Sequence, residues 1–408
     1  MSAIQSASIH ARRIPFAKAE ISEEAQAASA RVLASGWITT GPEVVEFERE
    51  FAQLVGAEHA VAVASCTAGI EISLRALGLP RGAKVLTSTM TFCGAVHAIV
   101  HSGLHPILVD VNRDTLMPDA ATVAAAVRAS GPVDAMVVIH FAGAPAPVAE
   151  MAAAAGLPLS RVIEDAAHAI GTMVGDSWVG SLSAATCFSF YATKNLPIGE
   201  GGMITTSDPE IADRARQIRL HGMSRDAWKR YLPGASWRYE VDVAGIKANM
   251  TDVQAAIGRG QLKHFARWQE RRVELARAYD ARLSRIKGLR TPTWPESGLH
   301  AWHLYVIHVE ADFGVDRDTF IQMLSERGVD CSVHFIPLHH QPYFQRLMKN
   351  DPQMSFPNAD EVFPTIVSLP FYPGLTEDML DQVCEEIDGL RPSSNAGHGV
   401  QLAVAGGG

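Results

Sequence analysis

Between residues 59 and 207, short β-rich runs alternate with segments that have helical spacing. The candidate strands are residues 59–65, 84–90, 106–111, 135–141, 161–166, 185–191 and 202–207. Several of these runs are nearly all apolar, as expected of strands that are buried on both faces of a sheet. The segments between them, such as TAGIEISLRALG, have the apolar spacing of helices. The alternation predicts an α/β fold whose mostly parallel sheet has helices on both faces.

The pattern changes after residue 252. A long, charged, amphipathic helical stretch follows, and Thr251 or Asp252 is its expected cap. Residues 300–390 then show a second set of strand-like and helix-like segments, and 408 residues are too many for one small core. We predict a large domain in residues 1–260, a linking helix with a small C-terminal α/β domain in residues 261–392, and a disordered tail in residues 393–408.

The overall composition excludes several classes of protein. The net charge is −9 and no long basic run is present, which argues against a nucleic-acid-binding surface. The five cysteines are scattered and include no C-x-x-C, so we expect reduced thiols in a cytoplasmic protein. The N-terminus lacks the apolar run of a signal peptide. The most apolar region, 133–159, is interrupted by Pro145, Pro147 and Glu150, so we predict no membrane span.

Polar and aromatic residues follow four of the candidate strands, at the point where each strand ends. These segments are SCTAG (65–69), TF (91–92), EDAAH (164–168) and ATKN (192–195). Each has an ordinary structural explanation by itself, such as a helix cap, a core aromatic residue, a capped turn or a solvated lysine. Ligands of such sheets, however, bind beyond the carboxyl ends of the strands. We therefore expect the four segments to converge on one site.

This combination of residue types matches the requirements of pyridoxal 5′-phosphate (PLP). A helix N-terminus with the hydroxyl groups of Ser65 and Thr67 suits a phosphate. Phe92 offers a flat surface for the pyridine ring, and Asp165 would keep the ring nitrogen protonated, so that the ring accepts electrons. The amine of Lys194 suits a Schiff base with the aldehyde. No strand is followed by G-x-G-x-x-G or G-x-x-x-x-G-K-[ST], which disfavours dinucleotide and NTP binding.

The order and spacing of longer motifs also resemble a known family, the DegT/DnrJ/EryC1/StrS sugar aminotransferases. The motifs include GWITTGPEVVEFEREFA (36–52), VASCTAGIEISLRALGL (63–79), VIEDAAHAIGT (162–172), CFSFYATKNLPIGEGGMI (187–204), GIKANMTDVQAAIGRGQL (245–262) and VHFIPLHHQPYF (333–344). The resemblance extends over roughly residues 13–390, nearly the whole chain. It implies a PLP-dependent enzyme of fold type I, the architecture of aspartate aminotransferase.

The resemblance implies roles for individual residues at the cofactor ring. Lys194 resembles the Schiff-base lysine of the family, and Asp165 resembles the partner of the ring nitrogen. His168 stands where family members place a glutamine or histidine near the 3′-oxygen of the ring. Phe92 matches the stacking aromatic residue.

The resemblance also implies a phosphate site that two subunits share. Ser65, Thr67 with the Ala68 backbone, and Ser189 match the residues that surround the phosphate. Asn249 resembles a residue that reaches the phosphate of the neighbouring subunit's cofactor, so the expected active unit is a homodimer with active sites at the interface.

One position departs from the family pattern. Family members commonly have Ser-Gly-Thr where this chain has Ser65, Cys66 and Thr67. Glycine would ease a tight turn and a close approach of the backbone to phosphate. We therefore expect Cys66 to restrict the phosphate contacts of this loop, and we interpret it as a tolerated variant rather than a reactive thiol.

The resemblance implies a transamination from L-glutamate to a nucleotide-linked keto-sugar. Lys194 would carry a proton during this reaction, so its amine has to be neutral, although a free lysine has a pKa near ~10.4. The stretch YATKN…GEGGM resembles members that aminate C-4 of a 4-keto-6-deoxyhexose carried by dTDP or GDP. The product would be a 4-amino-4,6-dideoxyhexose. The candidate substrate contacts are Arg238, Lys247, His334 and His340.

Several alternatives stay open. The chain is alternatively a C-3 keto-sugar or keto-cyclitol aminotransferase of the same family, although C-3 members tend to have a Pro-Gly pair before the lysine. Members that dehydrate a sugar carry histidine in place of Lys194. A PLP-binding regulatory protein without turnover is disfavoured by the intact Asp165 and Lys194. A metalloenzyme that uses His334, His339 and His340 lacks the usual ligand spacing, so we expect no metal.

Overall fold

The computed structural model describes residues 13–223, 239–349 and 355–391. The strands within these ranges are β1 His59–Val63, β2 Lys84–Ser88, β3 His105–Val109, β4 Ala135–Ile139, β5 Val162–Ala166, β6 Met173–Val174, β7 Ser177–Trp178, β8 Ala185–Ser189, β9 Gly202–Thr206, β10 Leu289–Arg290, β11 Val306–Val309 and β12 Ile366–Ser368. The helices are α1 Glu23–Ser35, α2 Pro42–Val55, α3 Cys66–Ala76, α4 Cys93–His101, α5 Ala120–Ser130, α6 Val148–Ala155, α7 Pro209–Ile218, α8 Asp252–Leu262, α9 Phe265–Leu283, α10 Arg317–Glu326, α11 Pro342–Leu347, α12 Pro357–Val362 and α13 Glu377–Asp388.

The central sheet contains seven strands in the order β1-β9-β8-β5-β4-β2-β3. Each of them corresponds to a predicted strand, and the neighbouring pairs are parallel except those that involve β9. Residues 190–201 join β8 to β9 without a crossover helix, so β9 returns antiparallel to its neighbours. The prediction of a mostly parallel sheet is confirmed.

Helices cover both faces of this sheet. Val61 and Val63 of β1 face a core that contains residues of α3, α4 and α7. Ala60 and Ala62 of the same strand face the opposite way and pack with residues of α2. Toward the other edge, this second face packs with residues of α5 and α6. Because the strands are buried on both faces, their sequences read as nearly continuous apolar runs.

A smaller antiparallel sheet of β10, β11 and β12 lies in the second half of the chain and shares a core with α9, α10 and α13. The helical stretch predicted after residue 252 is two helices rather than one, because α8 ends at Leu262 and α9 begins at Phe265. Thr251 is the N-cap of α8, in a capping box with Gln254. The predicted domain boundary at residue 260 lies within α8, and the division into domains stays a prediction.

Three further expectations concern termini, thiols and membranes. All five cysteines are free, as expected from their scattered positions. Within the described ranges, no helix has the length and apolar character needed to span a membrane. The predicted tail, residues 393–408, lies outside the described residues.

Candidate active site

The carboxyl ends of the central strands open onto a cavity of about 520 Å³. The predicted site residues that line it are Ser65, Thr67, Phe92, Asp165, His168, Ser189, Lys194 and His334. They come from the carboxyl ends of β1, β2, β5 and β8 and the residues that directly follow these strands, together with one loop of the second half of the chain. Because parallel strands point their carboxyl ends to the same edge, segments distant in sequence meet there.

The N-terminus of α3 forms one wall of this cavity. Ser65 is the N-cap, with extended backbone angles, and its Oγ accepts a hydrogen bond from the Ala68 N–H at 3.1 Å. Among the described residues, no acceptor is present for the N–H groups of Cys66 and Thr67 in the first turn. Ser189, at the end of β8, places its hydroxyl on the same cavity. Free N–H groups and hydroxyls at a helix N-terminus form a suitable site for a phosphate.

Gly202, in the GEGG motif, allows β9 to pass close to the start of α3. A Cβ at this position would lie 2.5 Å from the carbonyl carbon of Ser65 and 2.7 Å from the nitrogen of Cys66. No side chain fits at these distances, so the last glycine of the motif is required by packing against the helix N-terminus.

Cys66 does not restrict the backbone in the way that the sequence suggested. It is the first residue of α3 and is not among the residues with positive φ, so a residue with a side chain is compatible with the backbone at this position. Its buried side chain lies near the bottom of the cavity, where Sγ is 3.5 Å from Asp165 Oδ1 and 3.2 Å from the Cys187 carbonyl oxygen. Burial raises the pKa of this thiol well above its usual range, so the thiol is unreactive.

Asp165 is buried in β5 at the floor of the cavity. In the sheet it pairs with Ile139 of β4 and Cys187 of β8. Its Oδ1 accepts a hydrogen bond from the Ala167 N–H at 3.1 Å. Burial raises the pKa of this carboxyl, and the Ala167 N–H and the charge of Lys194 oppose that shift. A positively charged ring nitrogen would stabilise such a buried carboxylate.

Lys194 lies in the loop after β8 and lines the same cavity. Burial lowers the pKa of its ammonium group to about 8, while the charge of Asp165 acts in the opposite direction. A pKa near neutrality leaves a useful fraction of the amine unprotonated, as a nucleophile and proton carrier requires.

His168 is a neutral hydrogen-bond donor to the cavity. Its Nδ1 accepts the Ala142 N–H at 3.2 Å, so the proton of the neutral ring resides on Nε2. Burial, followed by the charge of Lys194, lowers the pKa of this imidazole well below its usual range. The ring therefore stays uncharged near neutral pH.

Phe92 is not buried in the core, although a core position is the ordinary structural explanation for an aromatic residue. Its side chain is 60% exposed, although it lies at the N-cap position of α4 and lines the cavity. An exposed aromatic ring on the wall of a cavity offers a surface on which a planar ligand stacks.

Other predicted residues lie elsewhere. Asn249 and Lys247 contact each other and are not among the residues that line this cavity, and Asn249 Nδ2 donates to Thr40 Oγ1 at 2.6 Å. The backbone N–H of Ala68 already donates a hydrogen bond to Oγ of Ser65. Arg238 lies outside the described residues.

The histidines of the VHFIPLHHQPYF motif do not form one site. His334 lines the cavity, with its Nδ1 2.9 Å from Ser368 Oγ. His339 and His340 instead hydrogen-bond to Asp360 Oδ1, at 2.8 and 2.7 Å. His340 is not among the lining residues of the cavity, and its role as a substrate contact stays a prediction.

The structure adds residues to the cavity that sequence reasoning missed. They are Tyr191, Thr193, Glu200, His303 and Phe335, among others. The first three belong to the segment around Lys194, so their proximity to this lysine in sequence could have identified them as cavity residues. His303 is different, because it belongs to the second set of strand-like and helix-like segments, and it lies before β11, which begins only at Val306.

The residues of the cavity fit PLP. One wall supplies unsatisfied N–H groups and hydroxyls for a phosphate, and the floor supplies a buried carboxylate for a cationic ring nitrogen. An exposed aromatic ring and a lysine of lowered pKa complete the set. This donor set, together with the fold, defines the class of fold type I PLP enzymes.

Comparison with known proteins identifies the family within this class. The family model of the DegT/DnrJ/EryC1/StrS aminotransferase family matches residues 19–388, and the chain belongs to this family. Its members are PLP-dependent sugar aminotransferases, and this is the activity of the chain.

Individual relatives agree with this assignment. The chain is 43% identical over 376 residues to the spore coat polysaccharide biosynthesis protein SpsC of Bacillus subtilis, covering 92% of this chain and 96% of SpsC. The aminotransferase TlmJ from Streptoalloteichus hindustanus has a similar structure, with a TM-score of 0.82, 31% identity and coverage of 93% and 98% of the two chains. Spr1654 from Streptococcus pneumoniae, solved in a PLP-form, has a TM-score of 0.82 at 27% identity and covers 93% of this chain and 98% of its own.

Proposed function

We propose that the enzyme transfers the amino group of L-glutamate to a dTDP- or GDP-linked 4-keto-6-deoxyhexose, with a 4-amino-4,6-dideoxyhexose as the product. The observation that carries the transaminase chemistry is the placement of Lys194, with a pKa of about 8, and Asp165 on one cavity. The choice of C-4 is supported by the uninterrupted YATKN…GEGGM stretch. The relative named for spore coat polysaccharide biosynthesis supports a sugar that enters a glycan.

The residues of this chain have distinct tasks in the proposed reaction. PLP, when bound, supplies an aldehyde that condenses with amines and a protonated ring that accepts the electron pair from the substrate's α-carbon. The N–H groups of Cys66 and Thr67, with Ser189, would hold the phosphate. The Asp165 carboxylate would face the ring nitrogen, and Phe92 would cover one face of the ring.

Lys194 would move the proton. Its amine, neutral above a pKa of about 8, would take the proton from the α-carbon of the amino donor and return it on the cofactor side. The same amine would carry the proton in the opposite sense when the keto-sugar accepts the amino group. His168 Nε2–H would donate a hydrogen bond to the ring oxygen and stay uncharged.

We also propose that the active unit is a cytoplasmic homodimer. Asn249 and Lys247 lie outside the cavity of their own chain, and in the proposed assembly they face the phosphates of the partner's site. The substrate contacts proposed from sequence then come from both subunits.

A spectroscopic experiment tests the reaction. Purified protein is expected to be yellow, to bleach with L-glutamate, and to regain its colour when the correct nucleotide keto-sugar is added. NMR of the product identifies the aminated carbon. Amination at C-3 would refute the proposed regiochemistry, and turnover by Lys194→Ala would refute the role of the lysine.

A further inference from the structure

Two neighbouring histidines and one carboxylate meet outside the cavity. His339 and His340 are the last two residues of the short 3₁₀ helix Leu338–His340, and Asp360 lies in α12. Both Nε2 atoms approach Oδ1 of Asp360, at 2.8 Å from His339 and at 2.7 Å from His340. The three atoms lie within 4.8 Å of one another. Among the described residues, no other group of three His, Cys, Asp or Glu side chains has an arrangement that could hold a metal ion.

The sequence does not reveal this group, because Asp360 is 20 residues away from His340. The neighbouring histidine in sequence is His334, which lies on the cavity instead, with its Nδ1 near Ser368. The set of ligand atoms in the structure is therefore different from the three histidines that the sequence suggests.

Aromatic contacts at both ends of α12 orient the two imidazoles. The ring of His339 stacks on Phe356, which precedes this helix, with 4.4 Å between the centroids and 24° between the planes. The ring of His340 packs edge-on against Phe363, which follows the helix, with 5.6 Å between the centroids. Because each ring is held by its own aromatic neighbour, both Nε2 atoms are directed toward the carboxylate between them.

A buried threonine contacts the other side of the His339 ring. Thr89 follows β2, and its Oγ1 is 2.7 Å from Nδ1 of His339. The carbonyl oxygen of the same threonine accepts the N–H of Leu338 at 2.8 Å. Histidines that bind metals usually donate their second ring N–H to an outer group of this kind, which directs the lone pair of the first nitrogen at the ion. A hydroxyl both donates and accepts, so Thr89 can pair with either tautomer of the ring.

Charge and exposure at this group also suit a cation. Burial lowers the pKa of His339, which favours the neutral imidazole that a metal ion requires, while the negative charges of Asp360 and Asp110 act in the opposite direction. Those two carboxylates attract a cation. The side chains of His340 and Asp360 are 38% and 52% exposed, so an ion and its water molecules can reach the three ligand atoms.

We propose that His339, His340 and Asp360 form a binding site for a divalent transition-metal ion of the Zn²⁺ type. Two imidazole nitrogens and one carboxylate oxygen are ordinary zinc ligands, and three protein ligands leave a position for water. Bonds of about 2.1 Å at tetrahedral angles separate two ligand atoms by about 3.4 Å, so the carboxylate has to move by less than about 1 Å. In the bound form each neutral imidazole carries its proton on Nδ1, and His339 donates that proton to the hydroxyl of Thr89.

This site goes beyond the proposed function and does not depend on it. None of its three residues lines the cavity, so the ion takes no part in the transamination. The bound ion would join residues 338–340 to α12. The same stretch of chain supplies His334 and Phe335 to the cavity, so the site fastens the segment that follows them.

Zinc titration of the holoenzyme tests the site. Full-length protein without an affinity tag, with PLP bound, is treated with a chelator and dialysed into phosphate-free buffer. Zn²⁺ binding is measured by calorimetry and by equilibrium dialysis with elemental analysis. Wild-type protein is expected to bind about one Zn²⁺ per chain at this site, and a roughly tenfold excess of Mg²⁺ is expected not to compete, because Mg²⁺ prefers oxygen ligands. His340→Ala and Asp360→Asn each remove a ligand and are expected to weaken binding by more than about tenfold.

Two further variants separate a metal site from a hydrogen-bonded cluster. His264→Ala is the matched control, because His264 Nε2 is also 2.8 Å from a carboxylate oxygen, that of Glu24, but no third ligand joins this pair in the described part of the chain. It is expected to bind Zn²⁺ as wild type does. Thr89→Val keeps all three ligands, loses the outer hydroxyl and is expected to weaken binding by roughly tenfold.

Three results would overturn the proposal. The first is the absence of saturable Zn²⁺ binding by the wild-type protein up to ~1 mM. The second is a wild-type affinity in both His340→Ala and Asp360→Asn, and the third is an equal loss of affinity in His264→Ala. Circular dichroism shows whether each variant is folded, and the two ligand variants lie on different segments, so either of them tests the site.

Discussion

Lys194 and Asp165 affect each other's protonation at the floor of the cavity. Burial lowers the pKa of the lysine and raises that of the carboxyl, while the attraction between the two charges opposes both shifts. The lysine pKa of about 8 is therefore a balance between desolvation, which lowers it, and the charges of Asp165 and then Cys66, which raise it. A change at either residue is expected to move the pH range in which the amine is a nucleophile.

The rate at which the cofactor-free enzyme regains PLP is expected to rise with pH through about 8, because the neutral amine is the reactive form. Asp165→Asn removes a charge that raises the lysine pKa, so the midpoint is expected to move to lower pH. Stopped-flow absorbance of the returning yellow colour measures this rate.

Asp134→Asn is the matched control for this charge removal. Asp134 accepts the Lys84 N–H near the start of β2, on the opposite edge of the sheet from the cavity. Its removal is expected to leave the midpoint in place. An Asp165→Asn midpoint at or above the wild-type pH would contradict the electrostatic explanation.

At the scale of elements, the start of α3 connects the central sheet to the proposed phosphate site. Gly202 allows β9 to pass against the first turn, and Ser65 caps the helix while its neighbours present free N–H groups. Helix α3 therefore covers part of the central sheet and also provides the proposed phosphate site at its N-terminus. A substitution at its cap is expected to affect stability and ligand binding together.

Ser65→Ala is expected to lower the free energy of unfolding by about 1 kcal/mol, the usual cost of losing an N-cap. It is also expected to weaken PLP binding by roughly tenfold, because the first turn that would hold the phosphate loses its order. Thermal unfolding of the cofactor-free protein and titration of PLP absorbance separate the two effects.

Thr376→Ala provides the comparison. Thr376 caps α13 by accepting the Met379 N–H at 3.2 Å, and it does not line the cavity. It is expected to lose similar stability while PLP affinity is unchanged. Equal PLP affinities for the two alanine variants would argue against a phosphate at α3.

At the scale of the whole molecule, the residues predicted to bind the cofactor and substrate lie in two separate places on one chain. Most of the predicted cofactor residues meet in one cavity, whereas Asn249 and Lys247 lie outside it. A homodimer in which each chain completes its partner's site accounts for this separation.

Complementation tests this arrangement. Lys194→Ala and Asn249→Ala are each expected to be nearly inactive as pure dimers. Refolded or co-expressed in equal amounts, they are expected to form hybrid dimers with one intact site of two, so the mixture recovers about one quarter of wild-type activity and the purified hybrids about one half. Activity of the tagged hybrid dimers is measured after two-step affinity purification. If Asn249 served its own chain, every hybrid site would be defective and no activity would return.

Much of the fold and part of the site were predictable from local patterns. Apolar runs predicted the seven strands of the central sheet. Capping and turn residues in each segment predicted the helix after β1 and the residues at the strand ends. Because parallel strands align their carboxyl ends, the sequence alone predicts that Asp165 and Lys194 lie close together. The residue types at these strand ends pointed to PLP, and the family motifs added the transaminase activity.

Other features depended on the tertiary structure, because they are set by contacts between distant segments. The antiparallel direction of β9, the exposure of Phe92 and the ordinary backbone of Cys66 depend on how neighbouring elements pack. His303 lines the cavity in a segment whose backbone accepts hydrogen bonds from Asn195 and Arg272, which are distant in sequence. The sequence by itself determined which chemical groups lie at the ends of the strands. The tertiary structure decided the protonation and exposure of these groups and which further residues line the cavity, because these properties depend on burial.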